Sequence, residues 1–452
     1  MTTALLLPPT KRWYPLRPHP VQSEVWRSEA RYIVLPAGRR SGKTELAKRR
    51  LIRRACAFHA FPDGWFVFGC PTYAQAKRIY WRDLNAMVPK RYIASVERSE
   101  LSLTLINGAK IQLMGLDEPA RIEGPPLDGI VLDEYANMKP GTWDEHVAPA
   151  LDTPDRPGWA MFIGVPESGT GNDYRSLFEN STSGKEGWED WAGFTWESAS
   201  VLDEAAIRSA KARLDRRTFD QEYRGKFVDL GGRVYYDFGD DSTRRCRCFY
   251  NPVAPLLLSL DFNIAPGTAA ASQHFVRPAD WPETTYGPKI LGTMGEVWIE
   301  SGSNTKLVME ALIEDWGKHA GFVHFYGDAT GGAEGTAKLE GSDWDIVRRM
   351  ANMAWPGRVK MRVPEGNPRE RVRVNCMNSL IMATDGVRRY VADPDYAPHV
   401  VDDMRRVSSK PGTNGAINKD IDKKITHLSD GLGYLVCREH PVADRFEVSP
   451  GY

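Results

Sequence analysis

The chain has 452 residues, enough for two or three domains that each bury a core. Lysine plus arginine and aspartate plus glutamate both number 59, so the formal net charge is zero and a histone-like polyanion binder is excluded. The six cysteines are scattered, and the close pair Cys246 and Cys248 lacks the C-x-x-C spacing of a zinc or redox site; a reduced cytosolic protein is expected. No apolar run approaches a membrane span, and Ala4 to Leu7, followed by Pro8-Pro9, is too short for a signal-peptide core.

Charge is unevenly placed at the start. Thirteen basic residues lie between Lys11 and Arg54 against Glu24, Glu29 and Glu45, a pattern suited to a polyphosphate or DNA backbone. The part from Lys48 to Arg54 fits a solvated helix face equally well. Within this region Arg31 to Leu35 has strand character, and the residues from Glu45 to Ile52 favour a helix. The loop between them, Leu35-Pro36-Ala37-Gly38-Arg39-Arg40-Ser41-Gly42-Lys43-Thr44, reads as a phosphate-binding P-loop. Gly38, Arg39, Arg40, Ser41 and Gly42 would wrap the phosphates, Lys43 would reach the β and γ phosphates, and the Thr44 hydroxyl would hold Mg²⁺. The first glycine of the usual G-x-x-x-x-G-K-[ST] pattern is replaced by Ala37, with Gly38 one place late.

Next come a strand (65–70), a helix (73–87), a hairpin (103–113) turning at Asn107-Gly108, and strands at 127–132 and 159–165. This alternation predicts a mostly parallel sheet covered by helices. The 127–132 strand runs into Asp133-Glu134, where Asp133 would hold the metal through water and Glu134 would polarise an attacking water. Together these residues describe an ATP hydrolysis site. Between about Leu202 and Leu230 the sequence turns charged and helical and breaks at Gly231-Gly232. The expected division is an ATPase domain at 1–201, a helical linker at 202–232 and a second domain at 233–452.

That second domain reads as three strands (256–260, 268–275, 289–300), a helix (305–319), a strand (322–328), a helix after Pro368 and a last helix (426–438). This is the element order of an RNase H-like fold. Asp261 and Asp328 end the first and fourth strands and Asp430 sits on the last helix. Carboxylates so placed can hold two Mg²⁺ or Mn²⁺ ions for phosphodiester cleavage. An aspartate after a strand is also a common turn or cap residue. His427, three residues before Asp430, shares its helix face as a proton donor, an outer ligand or a structural histidine. Glu296 and Glu300 are further candidate ligands. Arg358, Lys360, Arg362, Arg369, Arg371, Arg373, Arg388 and Arg389 would grip a duplex through its phosphates without reading sequence.

On these motifs the chain resembles the large terminase subunit of tailed double-stranded DNA bacteriophages. The resemblance runs from Leu16-Arg17-Pro18-His19-Pro20-Val21-Gln22 to His427-Leu428-Ser429-Asp430-Gly431-Leu432-Gly433-Tyr434. It rests most on Gly38 to Thr44, Arg121-Ile122-Glu123-Gly124, Tyr326 to Gly331 and Asn367 to Asn378. The resemblance implies an ASCE-type (RecA-like) ATPase using ATP with Mg²⁺ to drive viral double-stranded DNA into a procapsid, and an RNase H-like nuclease that cuts the concatemer. It further implies that Gln22 contacts adenine, that Gly164-Val165-Pro166 couples hydrolysis to movement, and that Arg121 is a candidate arginine finger for a neighbouring subunit, with Arg39 or Arg40 as alternatives in cis. The implied partners are a small terminase subunit and the portal ring, with a ring homo-oligomer on the portal from a chain that can be a monomer alone. The implied location is the host cytoplasm, docked on the procapsid and absent from the mature virion. Gly431 stands where the family often has Ala.

Overall fold

The computed structural model describes residues 20–442 apart from 58–60, 168–171, 199–200, 229–230, 263–264, 330–341, 411–412, 414, 421 and 423. The chain forms two compact units, Met1–Glu204 with Asp220–Asp229, and Ala205–Phe219 with Leu230–Tyr452.

The first unit is built on an eight-stranded sheet. Its strands are β1 (Tyr32–Pro36), β2 (Trp65–Cys70), β3 (Ile93–Glu97), β4 (Ser102–Leu105), β5 (Lys110–Gly115), β6 (Gly129–Asp133), β7 (Trp159–Gly164) and β8 (Trp191–Gly193). Their order is β8-β1-β7-β6-β2-β5-β4-β3, parallel except where β3 and β4 add an antiparallel margin to β5. Strands β1 and β6 are buried at every position, which is why each reads as an unbroken apolar run. The β4–β5 hairpin turns at Asn107-Gly108 as expected, and the Asn107 amide donates to the carbonyls of Ala55 and Ala57 at 2.9 Å each. It thereby satisfies carbonyls left open at the end of the helix that follows the P-loop.

That helix, α2 (Lys43–Ala55), packs beside α1 (Pro20–Arg27). The first part of its basic run is neither a DNA patch nor a solvated face, because Lys48, Arg49 and Arg50 are 5%, 5% and 4% exposed, while Arg53 remains exposed. Lys48 bonds Glu45 and Asp83, Arg49 bonds Glu45, and Arg50 donates to the carbonyls of Val25, Trp26 and Ser28 at the end of α1. Burial costs a guanidinium dearly, and it pushes Arg50 down to about 10. Strand β2 leads into a helical stretch made of α3 (Tyr73–Ala76), a π-turn (Lys77–Trp81) and α4 (Arg82–Met87). Helix α5 (Tyr174–Ser181) lies against β1 and β8.

The segment expected as a separate linker is divided. Helix α6 is Glu204–Arg213 and α7 is Arg216–Arg224, but 205–219 groups with the second unit and 220–229 with the first.

The second unit holds a six-stranded sheet of β9 (Leu256–Asp261), β10 (Gly267–Val276), β11 (Tyr286–Ile299), β12 (Val323–Gly327), β13 (Val359–Met361) and β14 (Arg388–Ala392). The order is β13-β12-β9-β10-β11-β14. Strands β9, β10 and β11 are antiparallel neighbours, and β12, β13 and β14 each add in parallel. This is the RNase H-like arrangement with one further margin strand, β14; neither β13 nor β14 was anticipated from the sequence. Helices α8 (Thr305–Trp316) and α9 (Asp343–Ala354) bury one core, while α10 (Glu370–Ile381), α11 (Pro398–Arg406) and α12 (His427–Glu439) bury another. Helices α9 and α11 were likewise unforeseen.

Candidate functional site

The P-loop leaves β1 through Ala37, which is fully buried and still bridges Trp196 in strand fashion. The chain narrows one residue later. A Cβ on Gly38 would lie 2.3 Å from the Ser198 hydroxyl and 2.4 Å from the Tyr223 carbonyl oxygen, so only glycine fits there. The late glycine is thus a consequence of the strand running one residue further. Arg40 has φ 57, and Gly42, with φ 96, turns the chain into α2.

This geometry aims the free N–H groups of the α2 N-terminus outward, with Lys43 6% exposed at its first position. The Ser41 hydroxyl is buried and has no hydrogen-bond partner among the described residues. An orphaned hydroxyl, a buried lysine and a helix N-terminus fit a phosphate chain. Arg39 forms an ion pair with Glu222, and its backbone N–H donates to the Glu222 carbonyl at 2.6 Å. Burial opposes its charge, yet Glu222 prevails and holds the guanidinium more firmly protonated. Arg39 is therefore engaged within the unit, and Arg40 is exposed.

Asp133 ends β6 at 1% exposure. Its Oδ2 accepts from the Tyr80 hydroxyl at 2.6 Å and from Thr44 Oγ1 at 3.3 Å, and its Oδ1 accepts the Glu134 backbone N–H at 3.0 Å. Thr44 and Asp133 fit Mg²⁺ by chemistry and by adjacency. Burial, with the Glu134 charge next, pushes the Asp133 carboxyl up to about 6, and Lys43 pulls against both. Glu134 is held at φ 55, ψ 43, a left-handed conformation that costs a non-glycine residue energy. Gly164 touches both halves of this site. Its carbonyl accepts from Ala37 N at 2.9 Å, and a Cβ on it would stand 3.2 Å from Glu134 Cα. Tyr80, stacked on Phe68 at 4.4 Å, was missed because nothing near it in the sequence announces a partner 53 residues away.

Two expected nucleotide contacts are placed as follows. Gln22 is buried on α1, beside α2. Arg121 sits on an exposed 3₁₀ turn and pairs with Glu118 at 2.5 Å; its described partners include none of Lys43, Thr44, Asp133 and Glu134.

In the second unit Leu260 pairs with Gly327, so Asp261 and Asp328 leave adjacent parallel strands side by side. Helix α12 crosses these strands and brings Asp430 and His427. His427 Nδ1 lies 2.9 Å from Asp261 Oδ2, and the Asn367 amide donates to Asp328 Oδ1 at 2.6 Å. The Tyr434 phenol registers the grouping: burial pushes it up to about 12, and after the opposing Arg373 the charges of Asp328, Asp430 and Asp261 add to the shift.

Asp430 departs from its expected role. Its Oδ1 accepts from Arg373 at 2.9 Å and its Oδ2 from Lys419 at 2.7 Å, so both oxygens already face cations. Among the described residues, no three His, Cys, Asp or Glu side chains form a group that could hold a metal ion. Asp261 and Asp328 suit a divalent cation by charge and adjacency, while at Asp430 a cation would compete with Arg373 and Lys419. Glu296 is no ligand either, since it accepts from His399 N and Val400 N and caps α11. Glu300 pairs with Lys424 at the surface. Of the cations expected on DNA, Arg373 is spent on Asp430, Arg358 on the His319 carbonyl, Arg388 on the Asp237 and Ile381 carbonyls, and Arg389 on Asp385. A Cβ on Gly431 would meet only ordinary contacts beyond 3.5 Å, so alanine would fit there. Sequence reading also missed Asp403, which accepts the Ser429 N–H at 3.1 Å and anchors the start of α12.

Residues 34–238 match the family described as terminase large subunit, T4likevirus-type, N-terminal. The large terminase subunits of Thermus phage G20c and Thermus virus P23-45 are 30% and 31% identical over 184 and 183 residues, 36% of this chain. The chain spans only 37% of the length of either relative. A large terminase from a thermophilic bacteriophage is 14% identical, covers 92% of this chain and 98% of its own, and superposes with a TM-score of 0.51. That protein is also known in complex with ADP and with ATP-γ-S. Residues 34–238 are therefore similar to the N-terminal part of terminase large subunits, and the chain has the fold of a bacteriophage large terminase.

Proposed function

We propose that the first unit hydrolyses ATP to move viral double-stranded DNA into a procapsid, and that the second unit cuts that DNA. The observation that carries the ATPase reading is the meeting of Thr44, Asp133 and Glu134 at the end of β6 beside the P-loop. Backbone N–H groups from Gly38 to Thr44 bind the phosphates, and Lys43 balances their charge. Thr44 and Asp133 would hold the Mg²⁺ that, when bound, neutralises charge on the phosphate oxygens. Glu134, fixed in its strained turn, orients the attacking water and draws its proton. Arg121, exposed and lightly held, is available to a neighbouring subunit's nucleotide, which accords with a ring on the portal. A small subunit would supply sequence choice, and the complex would act in the host cytoplasm without entering the mature virion.

Lys43→Ala in the full chain should abolish ATP turnover and spare Mn²⁺-dependent plasmid cutting. If Asp328→Asn leaves that cutting intact, the nuclease assignment is wrong. One observation favours a second reading, in which the second unit binds nucleic acid without cutting it: Asp430 is neutralised by Arg373 and Lys419. Crystals soaked in Mn²⁺ discriminate between them: two metal peaks among Asp261, Asp328 and Asp430 favour cleavage, and an empty site favours binding alone.

A further inference from the structure

The hydroxyl of Tyr80 is buried against Asp133, and no part of the P-loop pattern accounts for it. Tyr80 is 1% exposed and lies on the π-turn Lys77–Trp81, between the α-helical stretches α3 and α4. A π-turn is costly within a helix and is frequently kept where a side chain must be displaced toward a site. The displaced side chain is held on three sides. Phe68 of β2 stacks on the ring at 4.4 Å, the Lys48 ammonium stands 5.5 Å over its centre, and the hydroxyl donates to Asp133 Oδ2 at 2.6 Å. Lys48 is itself fixed by Asp83 at 2.7 Å and Glu45 at 2.9 Å, and it lies on the same helix as Lys43 and Thr44.

Asp133 has two oxygens to place. One is fixed by the Glu134 backbone N–H, which leaves Oδ2 to Tyr80 and Thr44. When a cation draws on the Thr44 oxygen, Tyr80 is the donor that still holds Oδ2. We infer that Tyr80 is a positioning residue for the ATPase site, setting the orientation in which Asp133 receives the metal–nucleotide complex. This rests on the reading of the first unit as an ATPase.

The test is Tyr80→Phe in the full chain, which removes one oxygen and keeps the stack. Binding of a fluorescent ATP analogue is titrated with Mg²⁺, alongside steady-state turnover. The expected result is unchanged binding without Mg²⁺ and a half-saturating Mg²⁺ concentration raised about tenfold, the scale of one hydrogen bond to a buried charge. Lower thermal stability with an unchanged Mg²⁺ dependence would overturn the proposal, because a merely structural tyrosine behaves that way. A second measurement does not depend on the variant: 3-fluorotyrosine placed at position 80 should shift its ¹⁹F resonance with Mg²⁺ and nucleotide together but not with nucleotide alone. An identical resonance under both conditions also overturns it. Failure of the parent protein to bind nucleotide in a Mg²⁺-dependent way would instead remove the ATPase reading.

Discussion

Exchanging Ala37 and Gly38 restores the usual spacing of the P-loop glycines and should nevertheless disable the loop. In the double variant Ala37→Gly/Gly38→Ala, the new Cβ stands 2.4 Å from the Tyr223 carbonyl oxygen, whereas ordinary contacts begin near 3.4 Å. The Ser198 hydroxyl, at 2.3 Å, can rotate away, but Tyr223 offers backbone, so loop and neighbour must part by about 1 Å. That separation strains the Gly38 N–H bond to Trp196 O (3.0 Å) and the Arg39 N–H bond to Glu222 O (2.6 Å). At roughly 0.5–1.5 kcal/mol each, plus about 0.8 kcal/mol for the buried Ala37 methyl, the loss is about 2–4 kcal/mol. For a unit of this size it corresponds to a melting point lower by about 5–10 °C. A 1 Å displacement of phosphate-binding groups should also slow ATP turnover about a hundredfold. Scanning calorimetry and a phosphate-release assay measure both effects. A variant that melts within about 2 °C of the parent and turns over ATP at the parental rate would refute the steric account of the late glycine.

Other outcomes follow from the second unit. Lys419→Gln should free Asp430 Oδ2 and raise Mn²⁺ affinity several-fold in calorimetric titration, whereas unchanged affinity means the lysine does not compete. Asp403→Ala strips the acceptor from the Ser429 N–H and should cost about 1–2 kcal/mol in denaturant unfolding, with ATP turnover unaffected. The rings of His274 and His440 lie 5.1 Å apart, and burial, with Lys289 and His440 adding, pushes His274 from 6.5 down to about 4. The folded state then binds fewer protons than the unfolded one, so this stability is complete above pH 6.5. It falls away toward pH 4 by about 3 kcal/mol. His274→Gln should flatten that acid slope, and an unaltered slope would count against the burial argument.

What could be read from sequence was what local pattern encodes. The fully buried strands β1 and β6 announce themselves as apolar runs, the Asn107-Gly108 turn as a dipeptide, and the P-loop as a spacing. Side chains whose meaning depends on distant partners were opaque. Lys48, Arg49 and Arg50 looked like a polar face because Asp83 and the α1 carbonyls that receive them cannot be paired by period. Asp430 looked like a bare ligand because Arg373 precedes it by 57 residues on another helix. Tyr80 depends on a local departure from α-helical winding, which no apolar period signals.

The inward use of cations in the second unit bears on counterion release. Each phosphate neutralised on duplex DNA contributes about −0.9 to the slope of log affinity against log salt. Eight basic residues between Arg358 and Arg389, taken at face value, would give a slope of about −7. Arg358, Arg373, Arg388 and Arg389 are already bonded within the fold, which reduces the contribution of this group to no steeper than about −4. Under the proposed packaging function, a motor that must release and regrip a polyanion at every step would be served by this weaker ionic hold, whose affinity falls less steeply as salt rises than a slope of about −7 would impose.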